Sequence, residues 1–249
     1  MTILILGGTA EARDFAKRLR DAGVPFVSSL AGRVAKPRLP VGEVRIGGFG
    51  GVEGMRAFYE SAEITAVVDA THPFAMGISA NAVASCAASG VPLLRFERPG
   101  WSDTYLSDTW HWVADHDEAA ALALTLGSRP FLTTGRQALG HFVAPLGALA
   151  AMVRVVDVPD IEVPPSWTVL TSRGPYVLED ERNLMRAHTT DVLITKDSGG
   201  MFTWPKMEAA SELGVEVIVV QREPGDPDVQ VVNEVSEALD WAISGDGSR

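Results

Sequence analysis

The stretch Thr2–Ala12, which reads TILILGGTAEA, joins a short apolar run to two glycines and the start of a helical pattern. This order predicts a buried strand, a tight turn and a helix, and glycines in such a turn let the backbone approach a phosphate. Thr9 can cap the helix and offer its hydroxyl to an anion at the positive helix end. A plain strand-to-helix turn is the alternative, because Thr9 and Ala12 replace the later glycines of the dinucleotide fingerprint. The residues predicted to bind the phosphates are Gly8, Thr9, Ala10 and Glu11.

The next predicted strand, in Phe26–Arg33 (FVSSLAGR), indicates which nucleotide would bind. A site for NAD offers Asp or Glu near the end of this strand, where the carboxylate binds the ribose 2′-hydroxyl. Here the strand ends in hydroxyls and a guanidinium, which suit a 2′-phosphate, so NADPH is the predicted cofactor. A solvated loop charge is the alternative for Arg33. The predicted adenosine-side residues are Ser28, Ser29, Gly32 and Arg33.

Short Val/Ile/Leu runs alternate with helical patterns along the whole chain, which is typical of βαβ units in a parallel sheet. The predicted fold class is α/β, with two Rossmann-like doubly wound parallel-sheet lobes and a cleft between them at the carboxyl ends of the strands. Pro and Gly interrupt the pattern in Glu97–Ser102. We therefore expect an NADP-binding domain of five strands in residues 1–102 and a substrate-side domain in residues 103–249, which ends in a helix over Val232–Ile243.

Composition limits the classes of partner. The 249 residues are 46% hydrophobic and 21% charged, as in globular proteins, and the net charge of -11 disfavours nucleic acid and anionic membranes. Cys86 is the single cysteine, so neither a disulfide framework nor a multi-cysteine metal site is expected. The start of the sequence lacks a signal-peptide pattern and no apolar run is long enough for a membrane span, so we expect a cytoplasmic protein.

Polar and basic residues follow several predicted strands. His72, in Asp69–Ala75 (DATHPFA), could donate to a cofactor amide or a substrate carboxylate, and a helix-capping histidine is the alternative. Thr133–Arg136 and Thr195–Gly200 are candidate anion pockets, with solvated turns as the alternative for each. Asp197 could act as a general base or could simply hold Lys196, and serine catalysis is disfavoured because no histidine lies near Ser198 in sequence. Together the basic strand ends predict a polyanionic ligand; they are Arg136, Arg173, Lys196 and Arg222.

The ordered motifs resemble a known family, the precorrin-6A reductases of cobalamin biosynthesis together with their cobalt-precorrin-6A counterparts. The likeness covers nearly the whole chain through Leu6–Glu11, Ser29–Arg33, Asp69–Ala75, Glu97–Trp101, Thr133–Arg136 and Thr195–Gly200. It implies a two-lobed α/β enzyme that takes a hydride from NADPH and reduces one double bond of the macrocycle precorrin-6A to give precorrin-6B. It implies no metal and no flavin.

The resemblance also implies residue roles. Gly8 and Thr9 would hold the pyrophosphate, while Ser29, Gly32 and Arg33 would hold the 2′-phosphate end. The nicotinamide side would be formed by Thr71, His72 and Pro73. From the resemblance and the basic strand ends together, the expected macrocycle-binding residues are Arg98, Thr134, Gly135, Arg136, Arg173, Lys196, Ser198, Gly199 and Arg222. The catalytic candidates are His72, Lys196 and Asp197, and the proton donor is left open between Asp197, His72 and water.

Three other functions fit parts of the sequence: an NADP-dependent oxidoreductase for a small substrate, a non-catalytic NADP-binding module, and a methyltransferase. The basic strand ends argue against the first two, and the Ser29/Arg33 pair argues against the third because S-adenosylmethionine has no 2′-phosphate. Reduction of cobalt-precorrin-6A is the alternative within the family. The expected partners are the polycarboxylate macrocycle and neighbouring pathway enzymes that transfer it, and we expect a monomer.

Overall fold

A computed structural model describes residues 1–32 and 36–244 of the chain. Two compact units are present, one formed by Met1–Pro99 with the chain from Pro224 onward, the other by Gly100–Glu223. Each unit contains a six-stranded sheet in which all neighbouring strands are parallel. Within the described ranges, no helix combines the length and apolar character that crossing a bilayer requires.

The strands are β1 Thr2–Leu6, β2 Phe26–Leu30, β3 Glu43–Ile46, β4 Ile64–Asp69, β5 Leu93–Phe96, β6 His111–Val113, β7 Pro130–Leu132, β8 Met152–Val155, β9 Thr168–Thr171, β10 Val192–Lys196, β11 Glu216–Val220 and β12 Gln230–Val232. The helices are α1 Ala10–Asp21, α2 Val52–Ser61, α3 Met76–Ser89, α4 His116–Leu126, α5 Leu139–Leu146, α6 Leu178–His188, α7 Pro205–Leu213 and α8 Val235–Ser244. Short 3-10 turns occupy Ser107–Thr109 and Arg136–Ala138.

The first sheet has the strand order β12-β5-β4-β1-β2-β3. Successive side chains of a strand point to opposite faces, and β1 shows the consequence. Ile3 and Ile5 pack in one core with Phe15 of α1, whereas Leu4 and Leu6 pack in a second core with residues of α2 and α3. Both faces are therefore covered by helices, and the predicted doubly wound parallel α/β arrangement is confirmed.

The C-terminal segment differs from the sequence-based expectation. Val232 was expected to begin a helix in the second domain, but it lies in β12, which pairs with β5 of the first sheet at Val232↔Phe96. Helix α8 then packs against α1, with Ala238 and Ala242 buried in the same core as Phe15. The expected boundary of residues 103–249 is thus wrong at this end, because β5 offers an unpaired edge and α1 an apolar face that this segment covers.

The second sheet has the order β6-β11-β10-β7-β8-β9. Its central strand β10 is fully buried at Val192, Leu193 and Ile194. Leu193 packs with Phe131 of β7 and residues of α7 in a core rich in tryptophan, and α4 packs on β10 and β11. This unit is also a parallel α/β sheet, as predicted. The cleft expected between the two lobes stays a prediction.

Candidate functional site

Each sheet contains a point at which the strand order reverses. In the first sheet it lies between β1 and β4, and in the second it lies between β7 and β10. In open parallel sheets, ligands bind at the carboxyl ends of the strands beside such a point. The two candidate regions are therefore the loops that follow β1, β2 and β4 in one unit and those that follow β7, β10 and β11 in the other.

Hydrogen bonds to β2, to α1 and to the loop after β4 fix the glycine turn that follows β1. The Gly7 N–H donates to the Ser29 carbonyl at 2.9 Å, and the Thr9 hydroxyl accepts from the Ala12 N–H at 3.0 Å while donating to the Ala70 carbonyl at 2.7 Å. Gly8 has a φ of +122°, and nothing lies within 4 Å of the position a Cβ would occupy. The turn is thus rigid and leaves open space at the start of α1, which fits a pyrophosphate. The Thr9 hydroxyl donates one hydrogen bond and accepts another within the protein, so the role of Thr9 is to fix the turn and to cap α1.

The end of β2 carries the adenosine-side candidates. The hydroxyl of Ser28 is buried and has no hydrogen-bond partner in the described part of the chain, whereas the Ser29 hydroxyl lies 3.4 Å from Nη1 of Arg45. Gly32 has a φ of +73°, which favours glycine, and a Cβ there would make a tight contact of 3.2 Å with the Ile46 side chain. Arg33 lies outside the described residues.

Arg45, near the end of β3, is a basic residue of this region that the sequence analysis did not identify. Its Nη1 donates to the Gly47 carbonyl at 2.6 Å and its Nη2 to the Gly48 carbonyl at 2.7 Å. The guanidinium lies over the Phe49 ring, 3.9 Å from the centroid. The signal that could have indicated it is the run Gly47–Gly51 (GGFGG) directly after a predicted strand.

The loop after β4 is built around the buried carboxylate of Asp69. It accepts from the Thr71 hydroxyl at 2.7 Å and the Ser79 hydroxyl at 2.6 Å, and it forms an ion pair with Arg95 at 2.8 Å. The Thr71 hydroxyl also accepts a hydrogen bond from Arg95 at 3.0 Å, so its contacts stabilise the loop. The Nδ1 atom of His72 accepts from a backbone N–H at 3.2 Å, which puts the proton of the neutral ring on Nε2.

Two further candidates in the first unit contact each other. The guanidinium of Arg98 forms an ion pair with Glu11, in the first turn of α1, at 2.8 Å. Glu11 was predicted on the cofactor side and Arg98 on the macrocycle side. Their pairing means that a ligand anion must compete with the Glu11 carboxylate for Arg98. Pro73 lies in the turn that precedes α3, which begins at Met76.

In the second unit, the loop after β10 is fixed by Asp197. Its buried carboxylate accepts from the Trp101 N–H at 2.9 Å and forms an ion pair with Arg222 at 3.3 Å, and Arg222 also donates to the Asp197 carbonyl at 2.9 Å. A Cβ on Gly100 would lie 2.5 Å from Asp197 Oδ2, so glycine permits the close approach. An ion-paired carboxylate of this kind favours a positioning role for Asp197 over that of a proton donor.

Lys196, the last residue of β10, is half-buried. Burial lowers the pKa of its ammonium from 10.5 to about 8. The neighbouring strand β7 pairs with β10 at Leu132↔Ile194, so Thr134 follows β7 beside this loop. The Thr134 hydroxyl is buried without a hydrogen-bond partner among the described residues. A polar ligand at this switch point would supply the missing partner.

The remaining macrocycle candidates fall into two groups. Gly135 and Gly199 have φ values of +85° and +62°, so both shape the turns that begin their loops. Side-chain contacts hold others: Arg136 lies 3.4 Å from the Asp160 carboxylate, and the Ser198 hydroxyl lies 3.3 Å from that of Thr203. Arg173 follows β9, at the far edge of the sheet from β6. The arrangement brings the loops of Thr134 and Lys196 together and sets Arg173 apart from them.

His116, the first residue of α4, was not singled out from the sequence. Its Nε2 is buried with no hydrogen-bond partner in the described ranges, and its ring stacks on His141 at 5.3 Å between centroids. Burial, the positive charge of Lys196 and the neighbouring His141 lower the pKa of His116 to about 4. The imidazole is therefore neutral near pH 7. Among the described residues, no group of three or more His, Cys, Asp or Glu side chains could hold a metal ion.

Comparison with known proteins identifies the family. The model of the precorrin-6x reductases CbiJ/CobK matches residues 2–243. The chain belongs to the precorrin-6x reductase family. Precorrin-6A reductase of Rhodococcus erythropolis is 49% identical over 240 residues, which cover 96% of each chain. A solved structure titled CobK precorrin-6A reductase is 35% identical, covers 100% of this chain and 98% of its own, and superposes with a TM-score of 0.90.

The family includes enzymes for both forms of the macrocycle. Cobalt-precorrin-6A reductase of Priestia megaterium is 31% identical over 231 residues, which cover 88% of this chain and 90% of that one. The resemblance inferred from the sequence motifs is thus confirmed. Membership of the precorrin-6x reductase family makes the chain an oxidoreductase.

Proposed function

We propose that the chain reduces precorrin-6A to precorrin-6B with NADPH in cobalamin biosynthesis. In this reaction a hydride adds to one carbon of a double bond in the macrocycle, a proton adds to the other, and NADP⁺ is released. The observation that carries the proposal is the nearly full-length similarity to a precorrin-6A reductase, which exceeds the similarity to the cobalt-precorrin-6A reductase. The cobalt-containing macrocycle is the second candidate substrate.

The first unit supports the cofactor proposal. The open space in front of Gly8, at the N-terminus of α1, fits a pyrophosphate. The end of β2 has hydroxyls at Ser28 and Ser29 and lacks the acidic residue that a 2′-hydroxyl requires. When bound, NADPH supplies the hydride. The protein's task is then to orient both reactants and to exclude water.

The second unit supports a polycarboxylate substrate. Lys196 and Arg222 place positive charge at the ends of β10 and β11, and Asp197 holds Arg222 and the Trp101 backbone in position. Cations in a partly desolvated site bind carboxylates more strongly than solvated ones do. For the proton, water is favoured over Asp197, whose carboxylate is engaged by the loop; the neutral His72 ring can donate a hydrogen bond from Nε2 to the cofactor or the substrate.

We propose further that the enzyme is a cytoplasmic monomer that exchanges its macrocycle with neighbouring pathway enzymes. The net charge of -11 disfavours nucleic acid and anionic membranes as partners.

The proposed function is tested by the oxidation of reduced nicotinamide, followed by absorbance, with the purified chain and one macrocycle at a time. NADPH oxidation with precorrin-6A, absent without macrocycle and slower with NADH, is the expected result. Faster turnover of cobalt-precorrin-6A would assign the chain to the second candidate substrate. No oxidation with either macrocycle would refute the proposal.

A further inference from the structure

Arg45 is an arginine that has no carboxylate partner among the described residues of an acidic protein. Five other arginines of the first unit form ion pairs with Asp or Glu, namely Arg18, Arg20, Arg56, Arg95 and Arg98. No described carboxylate forms an ion pair with Arg45, although the side chain is half-buried. A partly desolvated cation whose charge is not balanced by the protein is suited to an anionic ligand.

The guanidinium is fixed in one orientation. Two backbone carbonyls, of Gly47 and Gly48, accept its hydrogen bonds, and the Phe49 ring lies beneath its plane. The centroid of the Phe58 ring lies 5.3 Å from the Arg45 guanidinium carbon. A guanidinium has five N–H donors, and the described contacts use three, those to Gly47, Gly48 and Ser29. A donor on Nη2 and the Nε donor therefore remain for a ligand, in a geometry that needs little reorganisation.

The position of Arg45 matches one part of the cofactor. Strands β2 and β3 are parallel neighbours in register at Ser29↔Arg45, and the Ser29 hydroxyl is 3.4 Å from Nη1. The carboxyl end of β2 is where the ribose 2′-substituent of a dinucleotide lies in this type of sheet. Ser29 and Arg45 thus present a hydroxyl and a guanidinium side by side at that place, and both groups bind phosphate.

We propose that Arg45, oriented by Phe49 and the Gly47 and Gly48 carbonyls, binds the 2′-phosphate together with Ser29 and makes the enzyme prefer NADPH to NADH. The inference rests on the proposed NADPH dependence, and it assigns that specificity to a residue of β3. The site needs only a phosphate monoester on the ribose 2′-oxygen, so it is open to test with nucleotides that lack nicotinamide.

The test is calorimetric titration with 2′,5′-ADP and with 5′-AMP, which differ by the 2′-phosphate. Arg45→Ala is expected to weaken 2′,5′-ADP binding about 10- to 100-fold, the loss of a hydrogen-bonded charge pair, while 5′-AMP binding is unchanged. Arg45→Lys should recover only part of the affinity, because an ammonium cannot stack on Phe49 and bind in the same fork geometry. Arg18→Ala is the matched control, since Arg18 is an exposed arginine of the same unit paired with Asp14.

Two results would overturn the inference while leaving the proposed function intact: wild-type preference for 2′,5′-ADP that persists in Arg45→Ala, or an equal loss of both nucleotides in that variant, which would indicate a structural role. A wild-type protein that binds 5′-AMP as tightly as 2′,5′-ADP would instead refute the NADPH preference itself, and the inference with it. Failure of the NADPH preference is detected in the wild-type protein, whereas failure of the Arg45 assignment is detected only in the Arg45→Ala variant.

Discussion

At the scale of single residues, several charged side chains of the candidate site form ion pairs or hydrogen bonds within the protein. Asp197 accepts a backbone N–H and pairs with Arg222, Arg98 pairs with Glu11, and Arg136 lies beside Asp160. For Lys196, burial is the cause that lowers the pKa of the ammonium. A group whose charge is destabilised by desolvation gains most when a ligand carboxylate approaches.

Lys196 therefore gives a pH-dependence prediction. Its pKa is lowered to about 8, so the cation is fully present below that pH and is lost as the pH rises through it. The kcat/KM for the macrocycle should fall above about pH 8, because this parameter reports the free enzyme. In Lys196→Arg, whose guanidinium stays charged, the fall should disappear, while nucleotide binding is unchanged. Steady-state kinetics at constant ionic strength measures both. An alkaline fall that is identical in Lys196→Arg would show that another group titrates.

The sequence identifies these charged residues but not their partners. Asp197 contacts Trp101 from 96 positions away in the chain, and Glu11 contacts Arg98 from 87 positions away. Such contacts depend on how strands are ordered in the sheet, which periodicity does not specify. For the same reason Arg45 was missed: its place beside Ser29 follows from the β2–β3 register.

At the scale of elements, hydrophobic patterns were sufficient for most of the fold. The predicted alternation of short strands with helices is present in both sheets, and the first hundred residues contain the five expected strands. Strand β12 could not be predicted because it has only three residues, two of them exposed, and so lacks an apolar pattern. It forms a strand because the edge of β5 is available for pairing.

The placement of this C-terminal segment predicts how the chain can be divided. A fragment of residues 1–102 lacks Val232, Ala238 and Ala242, which are buried against the first core, and its stability should fall by at least about 3 kcal/mol. We expect it to unfold without a cooperative transition, as measured by circular dichroism on heating. Joining residues 1–99 to 224–249 through a flexible linker should restore the transition. Cooperative folding of 1–102 alone would contradict this account.

At the scale of the whole molecule, two parallel α/β units each provide a switch point. One has a glycine turn and hydroxyls, and the other has cations and the buried Thr134 hydroxyl, which no described residue hydrogen-bonds. The net charge of -11 opposes a polycarboxylate at long range, so binding must depend on the local cations at the strand ends. A chain with this division of chemistry is suited to bringing a dinucleotide and an anionic macrocycle into one reaction.

The central claim is that the hydride of NADPH is transferred to precorrin-6A, and isotope transfer tests it most directly. The purified chain is supplied with precorrin-6A and NADPH that carries deuterium at both hydrogen positions of nicotinamide C4, and the product is analysed by mass spectrometry. The account predicts that the reduced macrocycle carries the deuterium and that unlabelled NADPH in deuterated water places the label only at the protonated position. A reduced macrocycle without deuterium from the cofactor, or no reduction at all, would contradict it.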